Sequence, residues 1–147
     1  MTDTPQTRPV ERKVYRNINI FTDVRTYRLP AAGFVSILHR VSGLLMFLLL
    51  PFIIWMFDMS LTSEISYESF TNAFVAGAFG LPAWFLKLVV LALAWSYFHH
   101  FIAGVRHLWM DATHSVSLQQ GRSSAVVTLV LSLLLTAATA AKLFGLY

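Results

Sequence analysis

The sequence predicts an all-α membrane protein with three transmembrane helices, and three observations carry that prediction. Hydrophobic residues make up 56% of the 147 and charged residues only 12%, about half the share found in a soluble domain. Long stretches lack Asp, Glu, Lys and Arg altogether: 41–57, 69–86, 88–105 and 123–141, of 17, 18, 18 and 19 residues. The Lys and Arg residues crowd towards one end. So little charge cannot cover a soluble globule, and it equally excludes disorder, which needs low hydrophobicity and high net charge. The length permits one domain.

A hydrocarbon core about 30 Å thick takes roughly 20 apolar residues in a helix. The spans are expected near 33–56, 83–108 and 124–145, the first reaching N-terminally past His39 and Arg40. Residues 33–145 then form the transmembrane domain, behind a cytoplasmic or interfacial segment at 1–32. The stretch 69–82, with Phe70, Phe74, Gly77 and Gly80, is more polar and is expected at the interface, Pro82 opening the second helix. The first span begins too far into the chain, and runs too long, for a signal-peptide core of 7–15 residues.

Charge sets the orientation. Seven of the eleven Lys and Arg residues (Arg8, Arg12, Lys13, Arg16, Arg25, Arg28, Arg40) precede or enter span one. The 58–82 connection carries Asp58, Glu64 and Glu68 without a cation, and the 106–122 connection carries Arg106 and Arg122. The positive-inside rule puts the N-terminus and the second connection in the cytoplasm, and the acidic connection and C-terminus outside, in the periplasm. The net charge of +4 is thus explained by the lipid bilayer, without nucleic acid. No Arg/Ser-rich, acid-poor presequence precedes the spans, which points to a bacterial inner membrane.

The chain has no cysteine. That excludes disulfides, thiolate-held iron–sulfur clusters and covalent c-type haem. Its seven glycines form neither G-x-G-x-x-G nor a P-loop, so no flavin or nucleotide site is visible. A metal or haem would have to be held by His, carboxylate or Met.

Ionisable groups at membrane depth are costly and mark candidate sites. One group is Ser36-Ile37-Leu38-His39-Arg40-Val41-Ser42-Gly43, at the inner mouth of span one; the other runs from His99 to Asp111 in span two. His100, Gly104, His107 and Asp111 fall at i, i+4, i+7 and i+11, sharing one helical face that Ser96 continues. His99 is turned about 100° away, and His100 lies roughly 9 Å deeper than Arg106. An imidazole at that depth needs a hydrogen-bond partner or a metal. Two readings fit. A b-type haem would use the imidazole as ligand, approach the backbone at Gly104, and find cations for its propionates in His39, Arg40, Arg106 and His107. Alternatively, His100 bonds a neighbouring helix and Gly104 only permits close packing.

Ser36 and Arg40 stand at i and i+4, with Ser36 expected one turn deeper. Together they offer two donors to a lipophilic molecule with polar carbonyls, as a quinone has. The competing reading is that Arg40 snorkels to lipid phosphate and Ser36 bonds its own helix, and by the same logic Lys87 snorkels.

The first group resembles the S-x-x-H-R-x-[ST]-G signature of the cytochrome b membrane-anchor subunits of succinate dehydrogenase, respiratory complex II. The second, His100-x-x-x-Gly104-x-Arg106-His107-Leu108-x-x-Asp111, resembles the same family's H-x-x-x-G-x-R-H-L-x-x-D signature. Arg8-Pro9 and Tyr27-Arg28-x-Pro30 are similar to its N-terminal segment, and the likeness covers about residues 8–145. It implies a haem-binding helical bundle completed by a sister anchor subunit. His100 would be one axial ligand of a single haem b, the sister subunit supplying the other. Ser36 and Arg40 would line the ubiquinone site, and His39 and Arg40 would stand near the propionates. Arg106, His107 and Asp111 belong to the motif without individually fixed roles. The resemblance further implies a flavoprotein subunit and an iron–sulfur subunit on the inner face, for which the basic segment 8–30 is a docking surface. The chain would then pass electrons from succinate oxidation to ubiquinone. Rival readings are the anchor of a fumarate reductase, a structural anchor without haem, and a transporter subunit; the last expects polar residues along a whole transmembrane path, whereas here they cluster in the inner half.

The cation asymmetry makes a direct prediction. Tags at the two termini should be accessible from opposite sides of the membrane, the N-terminal one from the cytoplasm. Labelling of both from one side would refute the three-span topology.

Overall fold

The computed structural model describes residues 19, 22–23, 28–114 and 117–145. Most of the expected 1–32 segment, including Arg8, Pro9 and Tyr27 of the motif and much of the basic docking surface, lies outside them. The described residues form five helices: α1 Ala31–Leu48, α2 Leu50–Leu61, α3 Glu64–Ala73, α4 Ala83–Thr113 and α5 Leu118–Leu143. Among these residues there is no strand, only an isolated bridge between Ala78 and Leu81. Three helices, α1, α4 and α5, are long and apolar enough to cross a membrane.

The first span departs from expectation. In place of one helix over 33–56, α1 stops at Leu48 and α2 starts at Leu50, with Pro51 in the first turn of α2. Proline lacks the N–H that would bond back one turn, and its ring clashes with the carbonyl there. The break is slight, because the Leu49 N–H still reaches Leu45 O at 3.0 Å and the Ile53 N–H reaches Leu49 O at 3.0 Å. Alone, the 18 residues of α1 span about 27 Å; α2 carries the chain the rest of the way and beyond.

The stretch expected at the interface is partly helical. Ser63 and Ser66 form a capping box that starts α3 at Glu64, and α3 packs on α2. Pro82 then caps α4 from outside, so that Ala83 and not Pro82 is its first residue. At the far end α4 runs to Thr113, more than a turn past the expected 108, and takes in Asp111. Likewise α5 begins at Leu118, six residues before the expected start, because Ser117 and Gln120 form a second capping box. Charge-free runs mark where hydrocarbon lies, while caps mark where helices begin, and here the helices extend beyond the apolar zone.

Helices α1, α4 and α5 pack against one another in all three pairs. Their common core is small: Val35, Ala103 and Ala125 are fully buried, with Ala31, Ala32 and Leu129 around them. Small residues let backbones approach where lipid offers no hydrophobic drive to helix pairing. The buried hydroxyls bond carbonyls of their own helices: Ser42 to His39 O, Ser96 to Ala92 O, Thr128 to Ser124 O and Ser132 to Leu129 O, all at 2.8–3.0 Å. Large apolar side chains point outward instead, as Phe47 (72% exposed), Phe101 (61%) and Leu108 (70%) do. That inverted distribution suits a surface covered by lipid or by another membrane chain. At the other end of the bundle, Lys87 Nζ lies 5.4 Å from the centre of the Phe144 ring, joining the start of α4 to the end of α5.

Candidate functional site

The C-terminal half of α4 divides its polar residues between two neighbours. Its α1 side carries His100, Gly104 and His107; its α5 side carries His99, Ala103 and Arg106. The division follows from the 100° step between successive helical residues, and it turns the two adjacent histidines apart, although His99 and Ala103 also reach Val35 of α1.

On the α1 side the two sequence motifs meet at His39. Its ring stacks on His100 with centroids 4.0 Å apart and planes at 19°, and lies 5.5 Å from the His107 ring. A side-chain carbon added at Gly104 would stand 3.8 Å from His39 Nε2, in ordinary contact, so His39 covers the very turn that glycine leaves open. The shared face expected for His100, Gly104 and His107 is therefore present. Asp111 continues it but is exposed near the end of α4.

His100 Nδ1 lies 3.0 Å from the backbone oxygen of His39 and 3.3 Å from Ser42 Oγ. A carbonyl has no proton to give, so Nδ1–H is the donor. In a neutral imidazole that leaves Nε2 with its lone pair, the tautomer a metal ligand requires. The ring is only partly buried, at the edge of the α1–α4 seam. An imidazole nitrogen of fixed tautomer at a partly open edge, with two further histidines beside it, forms a donor set that fits a haem, whereas the turn at Gly104, expected to receive the macrocycle, is taken by His39.

His99 has a different setting. It is fully buried, stacked on Trp95 with centroids 5.5 Å apart, and its Nδ1 lies 3.3 Å from Ser132 Oγ on α5. Its Nε2 makes no hydrogen bond of good geometry, and the Val35 backbone of α1 lies against the same ring. An orphaned imidazole nitrogen is itself a ligand candidate, but this one sits inside the three-helix core, where a macrocycle enters only if the helices separate. The two histidines thus differ in access, one enclosed and the other partly exposed.

Arg106 also parts from the expected group. It is 8% exposed and turned to α5, donating from Nε to Ser124 Oγ at 2.9 Å and from an Nη to Gly121 O at 3.2 Å. Sequence spacing put it near the other cations, but its side chain is held on the opposite flank of α4. Ser36, His39, Arg40 and Gly43 fall at i, i+3, i+4 and i+7 on one stripe of α1; Ser36 is partly buried and Arg40 exposed. The order of depth is the reverse of the expectation. Since α1 starts at Ala31, Arg40 is one turn further from that end than Ser36, about 6 Å.

Ser42 and Gly43 are the site residues that sequence reasoning left without a role. Both stand in the first motif, and only the packing of α4 against them shows what they touch.

Fold and site together define a three-span helical membrane subunit, three of whose histidines gather on the α1–α4 seam. Residues 10–139 match the family model described as "Succinate dehydrogenase/Fumarate reductase transmembrane subunit", and the chain belongs to that family. Relatives named succinate dehydrogenase cytochrome b556 subunit include those of Paracoccus denitrificans, 26% identical over 79% of this chain and 84% of that one. Those of Coxiella burnetii (28%, over 80% and 87%) and Rickettsia felis (24%, over 86% and 93%) are similar along nearly their whole length. The chain is a membrane anchor of the succinate dehydrogenase type, as the two motifs implied.

The Arg106 geometry makes a prediction separate from any cofactor. Arg106→Leu removes both bonds to α5 and should lower the melting temperature of the purified protein in detergent more than Ser124→Ala does. The latter loses one bond, worth about 1.5–3 kcal/mol when the donor is charged. Equal melting of Arg106→Leu and the parent would show that the contact does not hold α4 to α5.

Proposed function

We propose that this chain is the haem b-carrying anchor of a succinate:quinone oxidoreductase. It holds a flavoprotein subunit and an iron–sulfur subunit on the cytoplasmic face of a bacterial inner membrane and delivers electrons from succinate to ubiquinone. The observation that carries the reading is the His100 Nδ1–H bond to the His39 carbonyl, which leaves Nε2 free to ligate. The relatives' name, cytochrome b556, supports a haem of the b type. One haem would be held by His100 together with a residue of the sister anchor subunit.

When bound, the group would supply a one-electron store, and the rest is done by this chain's residues. His100 would hold it. His39 and His107 stand on the same face for the propionates, with Arg40 as their nearest exposed cation on α1; Asp111 lies at the inner rim of that face. Arg106, held by Ser124 and Gly121, contributes by fixing α4 against α5. Ser36 and Arg40 bind the quinone: the guanidinium offsets negative charge developing on a carbonyl oxygen in a medium of low dielectric, and the hydroxyl orients the ring. Flavin and cluster chemistry come from the partners, since the chain has neither cysteine nor a nucleotide motif. The family description covers both directions of catalysis, and the comparison of ubiquinone reduction with menaquinol oxidation by the isolated complex separates a succinate dehydrogenase anchor from that of a fumarate reductase.

Two tests follow. In the purified complex, His100→Leu should abolish the six-coordinate low-spin haem spectrum, while His99→Leu keeps that spectrum in whatever complex assembles. The opposite pattern would move the ligand to His99, and a normal spectrum in both would remove it from this helix.

For the quinone, Ser36→Ala should lower succinate–quinone turnover several-fold to tenfold, the equivalent of about 1 kcal/mol. Arg40→Leu should cost more, approaching a hundredfold, because a charged donor is roughly twice as strong as a neutral one. Succinate–dye turnover serves as the control for assembly. Unchanged quinone reduction in both variants, or equal loss of both activities, would remove the site.

A further inference from the structure

Ser42 and Gly43 are packed against His100 across the α1–α4 seam, and neither is accounted for by the ligand or the quinone site. A side-chain carbon placed on Gly43 would stand 2.9 Å from His100 Cε1 and 3.3 Å from its Nδ1. The first distance is shorter than carbon atoms tolerate, so any residue but glycine must move the ring. The ring has little freedom to move. His39 is stacked on it at 4.0 Å, and its Nδ1–H is bonded to the His39 carbonyl. Ser42, fully buried, donates to that same carbonyl at 2.8 Å while its oxygen lies 3.3 Å from His100 Nδ1. A carbonyl oxygen has two lone pairs, and a hydroxyl both donates and accepts, so the three groups satisfy one another within the seam.

We infer that Gly43 and Ser42 are positioning residues for the His100 imidazole: Gly43 sets how closely α1 approaches the ring, and Ser42 with the His39 carbonyl fixes its tautomer. The inference rests on the reading of His100 as a haem ligand. It assigns the orientation of that ligand to α1 instead of to its own helix. It also gives the Ser-Gly pair of the first motif a function distinct from that of Ser36 and Arg40. Loss of an acceptor on the far nitrogen of a ligating histidine lowers its basicity and typically costs about 10–100-fold in metal affinity.

The test uses the complete complex with its four subunits, purified with flavin content and succinate–dye turnover as measures of assembly. Gly43→Ala should drive the ring off the carbonyl. The expected result is at least a tenfold fall in haem affinity, or an upward shift of the haem midpoint potential with an altered low-spin signal, at unchanged flavin content. Ser42→Ala, which adds no bulk, should keep the haem and shift its potential, and Ser42→Thr, which restores the hydroxyl, should return it to the parent value. A purely structural role would lower assembly without moving the potential of the haem that remains. Should Gly43→Ala fail to assemble, Ser42→Ala against Ser42→Thr decides alone. Parental spectra and potentials in the alanine variants overturn the inference when His100→Leu has lost its haem signal; a normal signal in His100→Leu overturns the ligand assignment beneath it.

Discussion

The structure depends on one constraint, which is that a polar group in hydrocarbon has only protein to bond with. The contact between the His39 carbonyl and His100 meets that constraint across the α1–α4 seam. It requires α1 and α4 to approach closely, and Gly43 permits the approach by presenting no side chain to the imidazole. Ser42 occupies the remaining space with a group that both gives and receives a hydrogen bond. Lengthen either residue and the carbonyl, the hydroxyl and the ring all lose partners together. An unsatisfied buried group costs about 1–3 kcal/mol, more than the net gain from a bond well made. Such a seam is therefore held less by the strength of its bonds than by the cost of breaking them.

A second seam lies on the other flank of α4, and it takes the residues immediately beside those of the first. His99 meets Ser132, and Arg106 meets Ser124 and Gly121, in antiparallel register: as the α4 number rises, the α5 number falls. One helix thus serves two neighbours with polar residues a single position apart. His99 and His100 have the same chemistry, yet one is enclosed among three helices and the other reaches an open edge. The fully buried Val35, Ala103 and Ala125 between the seams keep the helices close enough for short side chains to span the gaps. Small residues here do what large apolar ones do in a water-soluble core.

Much of this was legible in the sequence. Charge-free runs located the spans, and the 100° step put His100, Gly104 and His107 on one face and His99 on another, as the packing bears out. Periodicity names the residues that share a face, but not the neighbour that covers it. For that reason spacing groups Arg106 with the other cations although its partners lie on α5, and only the packing of α4 gives Gly43 a role. The break after Leu48 was missed because Pro51 lies within an apolar run that hydropathy reads as continuous. Pro51 itself was the available signal. So too was Ser117-x-x-Gln120, a capping pattern that marks the true start of α5 while charge points six residues later.

The two arginines nearest the site show why their positions are not interchangeable. Helical side chains lean towards the N-terminus of their own helix. On α1 that direction runs from Arg40 back towards Ser36 and the start of the helix. Arg40 is exposed, and its stripe of α1 is shared with His39 and Gly43. Arg106 is nearly enclosed, with two of its five donors committed to α5. Freeing it for an outside anion would leave the Ser124 hydroxyl and the Gly121 carbonyl without that donor and open the α4–α5 seam. Arg40 forfeits no such contact with another helix. The same charge is therefore structural on one helix and available on the other, and the distinction is made by which seam each residue's turn happens to face.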